Sequence, residues 1–212
     1  MLDKKIITLY FDFLSPFSYF LITKIPSIKE KTGLEVLYKP VLMGKLFSEH
    51  GFPGPGDIPA KRKYELKKCF RIAHKEQIPF SPPESFPFNP MGIIRLATLH
   101  AAQDKQFEVI QTIFNAVWKN GLILEDPDCI LKVLKEAHLN EDIFHRSFER
   151  EAKKELKTNI AQAISQDIFG VPTYYTNQND YFWGLDALED FYNSLNGTDN
   201  YDKSLYQRLI SS

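Results

Sequence analysis

The chain of 212 residues has only two cysteines, Cys69 and Cys129, far apart in sequence. That is too few for a disulfide-stapled secreted fold or a cysteine zinc site. Neither sign of charge is in excess: 26 basic residues stand against 27 acidic ones, and the isoelectric point is near 6.5. Nucleic-acid binders normally carry a basic surplus, so that class is set aside. No apolar run reaches the roughly 18–20 residues of a membrane span. Met1-Leu2-Asp3-Lys4-Lys5 leads straight into a strand-like stretch, with no signal-peptide core, so the expectation is a cytoplasmic protein. His50, His74, His100, His138 and His145 show no ligand spacing, and no metal is expected. A glycine-rich phosphate loop and a G-x-S-x-G elbow are missing too. Aromatic residues, by contrast, make up 14 % of the chain, enough for a pocket that takes a flat apolar ligand.

Ile6-Ile7-Thr8-Leu9-Tyr10-Phe11 is β-branched and aromatic and reads as a buried strand. Ser15-Pro16 then has the form of a helix start, a capping hydroxyl followed by a proline that loses nothing by lacking an N–H. Tyr19, Phe20, Ile22 and Ile25 continue at helical spacing, and Pro26 is expected to kink or interrupt the helix. After Gly33, residues 34–39 alternate as a second strand, so the opening is a βαβ unit with a parallel pair. The Gly/Pro-rich stretch 50–56 is a loop, a basic helical pattern covers about 59–79, and a proline-rich loop runs to Pro90. Helical patterns follow at about 91–104, 106–120, 127–137 and 141–168, the last with one break. Gly170 to Tyr175 returns to strand chemistry. A polar turn, Tyr181-Phe182-Trp183 and a helix over about 185–195 complete a hairpin and helix. The tail after Gly197 is expected as a short helix or a frayed end.

The order βαβ, helices, ββα is that of a thioredoxin fold, class α/β, with a large all-helical domain inserted between its halves. The expected division is 1–44 and 169–197 for the thioredoxin-like domain, 45–155 for the insertion, 156–168 for a connecting helix and 198–212 for the tail.

Three segments carry a resemblance to a family. Phe11-Asp12-Phe13-Leu14-Ser15-Pro16-Phe17-Ser18-Tyr19 resembles the opening of the kappa-class glutathione transferases and the bacterial 2-hydroxychromene-2-carboxylate isomerases. Gly170-Val171-Pro172-Thr173 is similar to their cis-proline loop, and Phe182-Trp183-Gly184-Leu185-Asp186 to their glutathione-binding turn. Pro59-Ala60-Lys61 with Tyr64, and Phe86-Pro87-Phe88-Asn89, resemble the isomerase branch. Disulfide-forming oxidoreductases share the fold but carry Cys-x-x-Cys where this chain has Ser15-Pro16-Phe17-Ser18. A serine forms no mixed disulfide, so any sulfur chemistry at this turn needs an outside thiol. The resemblance implies glutathione.

Ser15, at a helix start, either simply caps the helix or also donates a hydrogen bond that favours a thiolate; Ser18 is secondary. The resemblance implies that Val171 pairs its backbone with glutathione next to cis-Pro172. It further implies that Leu185 and Asp186, opening the last helix, hold the γ-glutamyl end. Lys61 is the candidate for a carboxylate, within a basic run that otherwise reads as a solvated helix face. Tyr64 and Asn89 are substrate-side hydrogen-bonding candidates or structural groups. Kappa-class transferases have an asparagine where Phe52 stands, and Ala187 replaces a frequent arginine. The implied activity is a glutathione-dependent isomerisation by thiolate addition and elimination on a small unsaturated aromatic substrate, in a homodimer. The alternatives are a kappa-like transferase and a non-catalytic thioredoxin-like binding module.

Overall fold

The computed structural model describes residues 6–211, so the 1–5 segment and Ser212 lie outside the described residues. Strands β1 (Ile6–Phe11) and β2 (Glu35–Pro40) pair in parallel, and β3 (Thr173–Thr176) and β4 (Tyr181–Trp183) add antiparallel strands in the order β2-β1-β3-β4. β1 is central and is covered on both faces, which is why its sequence is almost continuously apolar. Ile7, Leu9 and Phe11 enter the main core, and Tyr10 points into a second cluster with Val41, Leu46, Ala163, Ile168 and Val171.

Helix α1 (Pro16–Thr32) begins on Ser15 and ends at Gly33, whose left-handed φ of 66° lets its N–H cap Lys29. Of the kink or interruption expected at Pro26, the interruption does not occur: the helix runs through it. Ile22, Ile25 and Ile28 are all buried, so core packing grips the helix on both sides of the proline.

Between β2 and β3 every described element is helical. In chain order these are α2 (Met43–Glu49), α3 (Pro59–Glu76), α4 (Met91–Ile94), α5 (Leu99–Ala102) and α6 (Gln106–Phe114), which runs on into a π-helical turn at Asn115–Lys119. α7 (Pro127–Glu136), α8 (Asp142–Arg146) and α9 (Arg150–Ser165) follow. The stretch expected as one helix over 91–104 is broken. Thr98, extended at ψ 148° and fully buried, uses its Oγ1 to cap a fresh start at Ala101. The break expected within 141–168 falls at residues 147–149, where Glu149 is extended and the Ser147 hydroxyl donates to Phe144 O.

α9 returns the chain to the sheet: the Tyr10 hydroxyl donates to Gln166 Oε1 at 2.7 Å, and Asn159 Nδ2 donates to Pro40 O. The 155/156 division lies inside this helix. The final hairpin is followed by α10 (Leu188–Leu195), which stacks Phe191 on Tyr174, and by α11 (Lys203–Ile210) on the tail. No helix among the described residues is long and apolar enough to cross a membrane.

Candidate active site

The turn from β1 into α1 is fastened by Asp12. Its carboxylate accepts Leu14 N at 2.9 Å and Met43 N at 2.8 Å, while its own carbonyl accepts Ser15 N at 3.0 Å. One side chain thereby ties the α1 turn to the start of α2. Trp118 adds a bolt from the helical insertion, with its indole N–H donating to Phe13 O at 2.8 Å.

Burial pushes the Asp12 carboxyl up to about 6, although both backbone N–H groups pull the other way. An unfolded aspartate titrates near ~4, so between that pH and about 6 the folded chain holds the extra proton. Stability is therefore highest below this window and falls as pH rises through it. A shift of about two units corresponds to ~3 kcal/mol. Asp12→Asn is expected to flatten this part of the curve, at the cost of one backbone acceptor, about 1 kcal/mol. Urea midpoints for both chains from pH 4 to 7 measure it. A wild-type-minus-variant difference that is constant over that range sinks the assignment.

Held by this turn, Ser15 is the N-cap of α1 and only 4 % exposed. Its Oγ accepts Ser18 N at 3.1 Å and donates to Val171 O in a long bond of 3.4 Å. The Val171–Pro172 peptide is cis. Two segments far apart in sequence thus meet at one hydroxyl. Ser18, one turn on, is fully buried, and its hydroxyl has no hydrogen-bond partner, like those of Tyr38 and Tyr174.

The loop carrying Val171 is closely built. A Cβ on Gly170 would come within 2.7 Å of Trp183 Nε1, so the indole lies against bare backbone. Pro172 O accepts Gly184 N at 2.9 Å, and Gly184 sits at φ 92°, a region that favours glycine. A Cβ there would meet Asp186 Oδ1 at 2.7 Å. Asp186 therefore folds back over Gly184. It does not open the last helix, as expected from the sequence: α10 starts at Leu188 on Ala187, with no side-chain cap. Leu185 is half-buried against the core. The Asp186 carboxylate is 78 % exposed, and its cation is Lys68, at 3.6 Å. Lys68 also stands 5.2 Å from the centre of the Phe17 ring, on the first turn of α1.

Lys68 is the residue that sequence reasoning missed. It was submerged in a basic run, yet Lys61, Tyr64 and Lys68 follow one another at helical spacing on α3. Lys61 and Tyr64 are exposed on the first turns of that helix. Asn89 does local work, its Oδ1 accepting Met91 N at 3.0 Å to start α4. The structure brings together Ser15, Val171 and Pro172, and joins Asp186 to the α1 turn through Lys68 and Phe17. It records no contact from Lys61, Tyr64 or Asn89 to these groups among the described residues.

No hydrogen bond from either cysteine to the turn is recorded among the described residues. Cys69 is buried on α3 with its thiol pushed up to about 12, mainly by burial, and Cys129 is half-buried on α7. Elsewhere, folding gathers His100 with Glu149 and Glu151, with ligand atoms within 4.8 Å of one another; His100 pairs with Glu149 at 2.6 Å. The sequence spacing gave no sign of this half-exposed group.

Known proteins are similar to this chain in sequence and in fold. The chain is 28 % identical over 189 residues to 2-hydroxychromene-2-carboxylate isomerase of Sphingobium xenophagum, covering 87 % of this chain and 95 % of that one. It is 25 % identical to glutathione S-transferase kappa 2 of Caenorhabditis elegans, with 81 % of each chain covered. A solved structure of a 2-hydroxychromene-2-carboxylate isomerase superposes with a TM-score of 0.80 at 23 % identity, over 98 % of this chain and 99 % of that one. The family model described as a DSBA-like thioredoxin domain matches residues 6–196, from β1 to just past α10. With the sheet, the helical block and the closing hairpin all inside that match, the chain belongs to the family of DSBA-like thioredoxin domains.

Proposed function

We propose that the protein is a glutathione-dependent isomerase of the 2-hydroxychromene-2-carboxylate isomerase type. The observation that carries the reading is the Ser15 hydroxyl, set at the N-terminus of α1 against the Val171 carbonyl. The 15 and 18 positions of this turn carry serines, and the Cys69 thiol is buried on α3 and pushed up to about 12, so the turn itself supplies no thiol. When bound, glutathione supplies a thiol that adds to a conjugated double bond of the aromatic substrate and leaves again after rotation.

The chain's own residues fit that guest. The positive end of α1 favours a negative sulfur beside Ser15, whose proton sits in a long bond that a better acceptor can take over. Near-complete burial of Ser15 keeps water from competing for that bond. Val171 offers backbone for a short strand-like pairing, and Asp186, with Leu185, offers a carboxylate to the γ-glutamyl ammonium. Lys61 is assigned to the glycyl carboxylate, with Tyr64 and Asn89 on the substrate side. A cytoplasmic homodimer, and the division into a thioredoxin-like unit and a helical insertion, belong to the same proposal.

Calorimetry with millimolar glutathione is the first test. Binding is expected, and Asp186→Asn should weaken it about tenfold, the size of one hydrogen bond to a charged group. No heat from the wild type would leave a non-catalytic binding module and end the enzyme reading. The kappa-class relatives favour a second reading, a transferase that keeps the conjugate. Isomerisation assayed beside aryl-halide conjugation separates the two, and turnover in the second alone would overturn the isomerase.

A further inference from the structure

Resting on the glutathione reading above, we propose that Lys68 couples the two binding events, held on Asp186 until glutathione releases it to anchor an aromatic anion.

One cation serves two groups. Lys68 Nζ lies 3.6 Å from Asp186 Oδ2 and 5.2 Å from the centre of the Phe17 ring. Phe17 lies on the first turn of α1, the helix that Ser15 caps, so this cation stands over a flat apolar surface at the end of the helix that would hold sulfur. The ion pair is weak by construction. Its side chains are 38 % and 78 % exposed, and a solvated pair of this kind is screened and easily exchanged. Asp186 has no other cation among the described residues.

Asp186 is also the carboxylate assigned to the γ-glutamyl ammonium. When an ammonium takes Asp186, Lys68 loses its counter-ion but keeps its place over Phe17. An unpaired cation above an aromatic ring then selects a ligand with a flat apolar body and a negative end: ring on Phe17, carboxylate on Nζ. Binding is thereby ordered, with the thiol carrier first and the anion second. The coupling is bounded by the strength of the exposed pair, about two- to fivefold. Lys68 is a positioning and specificity residue, and Lys61, two turns earlier on the same face of α3, keeps the glycyl carboxylate.

S-methylglutathione, which has no free thiol and cannot turn over, serves as the carrier. Naphthoate and its neutral counterpart naphthamide serve as the second ligand, each titrated calorimetrically with and without the carrier. In the wild type the carrier should tighten naphthoate about two- to fivefold and leave naphthamide unchanged, and naphthoate should tighten the carrier equally. Lys68→Gln should abolish the coupling and bring naphthoate down to the amide. It should leave the carrier bound as before or up to about fivefold tighter, since a competitor for Asp186 is gone. Equal responses of the acid and the amide, or coupling that survives Lys68→Gln, would overturn the proposal. Weaker carrier binding by Lys68→Gln would place Lys68 in the glutathione site itself, ending the proposal while the functional reading stands. A wild type that binds no carrier would end both.

Discussion

Ser15→Ala is expected to lower isomerisation about 100-fold at pH 7 and to raise the pKa of bound glutathione's thiol by about one to two units. The size follows from the bond removed. A hydrogen bond to an anion is worth about 1.5–3 kcal/mol, and each pKa unit represents 1.36 kcal/mol. An ordinary thiol titrates near ~8.5, so without that bond little thiolate exists at neutral pH. The deficit should therefore narrow as pH rises and the thiolate forms unaided. Ser15 is also the N-cap of α1, accepting Ser18 N, so alanine costs stability of about 1 kcal/mol as well. Ser15→Gly separates the two roles. Glycine is tolerated at an N-cap at a cost of a few tenths of a kcal/mol, yet it has no hydroxyl. It should fold nearly as well as the wild type and be as inactive as the alanine variant. Ultraviolet absorbance of the thiolate against pH reads the shift directly. Superimposable titrations for wild type and Ser15→Gly would sink the role assigned to Ser15.

That prediction was within reach of the sequence because its geometry is local. Ser15-Pro16 is a helix start by simple stereochemistry, and the structure places the N-cap there. The same holds for β1, β2 and the β3–β4 hairpin, where β-branched and aromatic runs sit between turn residues. What stayed hidden depends on tertiary contacts. α2 is short, contains Gly44 and buries only Leu46, so it carries almost no periodic signal. Its start is held by Asp12, from another turn altogether. The break at residues 147–149 has neither glycine nor proline to announce it. Asp186 looked like a helix opener because aspartate commonly caps. Here its carboxylate turns back over Gly184 to meet Lys68 instead, and the helix begins later on an uncapped alanine. Lys68 itself resembled any solvated lysine until α3 was laid beside α1. Local rules found the nucleus of the site, and its charged rim required the fold.

The second large effect is a gain. Ser15→Cys combined with Ser18→Cys is expected to give a chain that forms and breaks a disulfide at the start of α1, where the wild type has no redox couple. The two positions are the N-cap and the third residue of the helix, the Cys-x-x-Cys spacing. A helix N-terminus or such a motif lowers a cysteine thiol from ~8.5 to about 3.5–7.5, so the first thiol would be largely ionised at neutral pH. The second position costs little to change: the Ser18 hydroxyl is buried without a partner, so its loss breaks no hydrogen bond. Oxidised glutathione supplies the oxidant. One protein thiolate attacks it and expels one glutathione, the second then displaces the other, and the products are a protein disulfide and two reduced glutathiones. Cys69 does not interfere, because burial pushes its thiol up to about 12, and Cys129, a free half-buried cysteine on α7, serves as the internal count. Two of four thiols should disappear reversibly, with a potential in the range of about −270 to −120 mV spanned by Cys-x-x-Cys oxidoreductases. Isomerisation should fall in the same variant as it does in Ser15→Ala, since a cysteine at position 15 offers no hydroxyl to a bound sulfur in either redox state. Four thiols that stay reduced against oxidised glutathione would show that the serines replaced more than two sulfur atoms. The turn itself, fixed by Asp12 and Trp118, would then be shaped against thiol exchange.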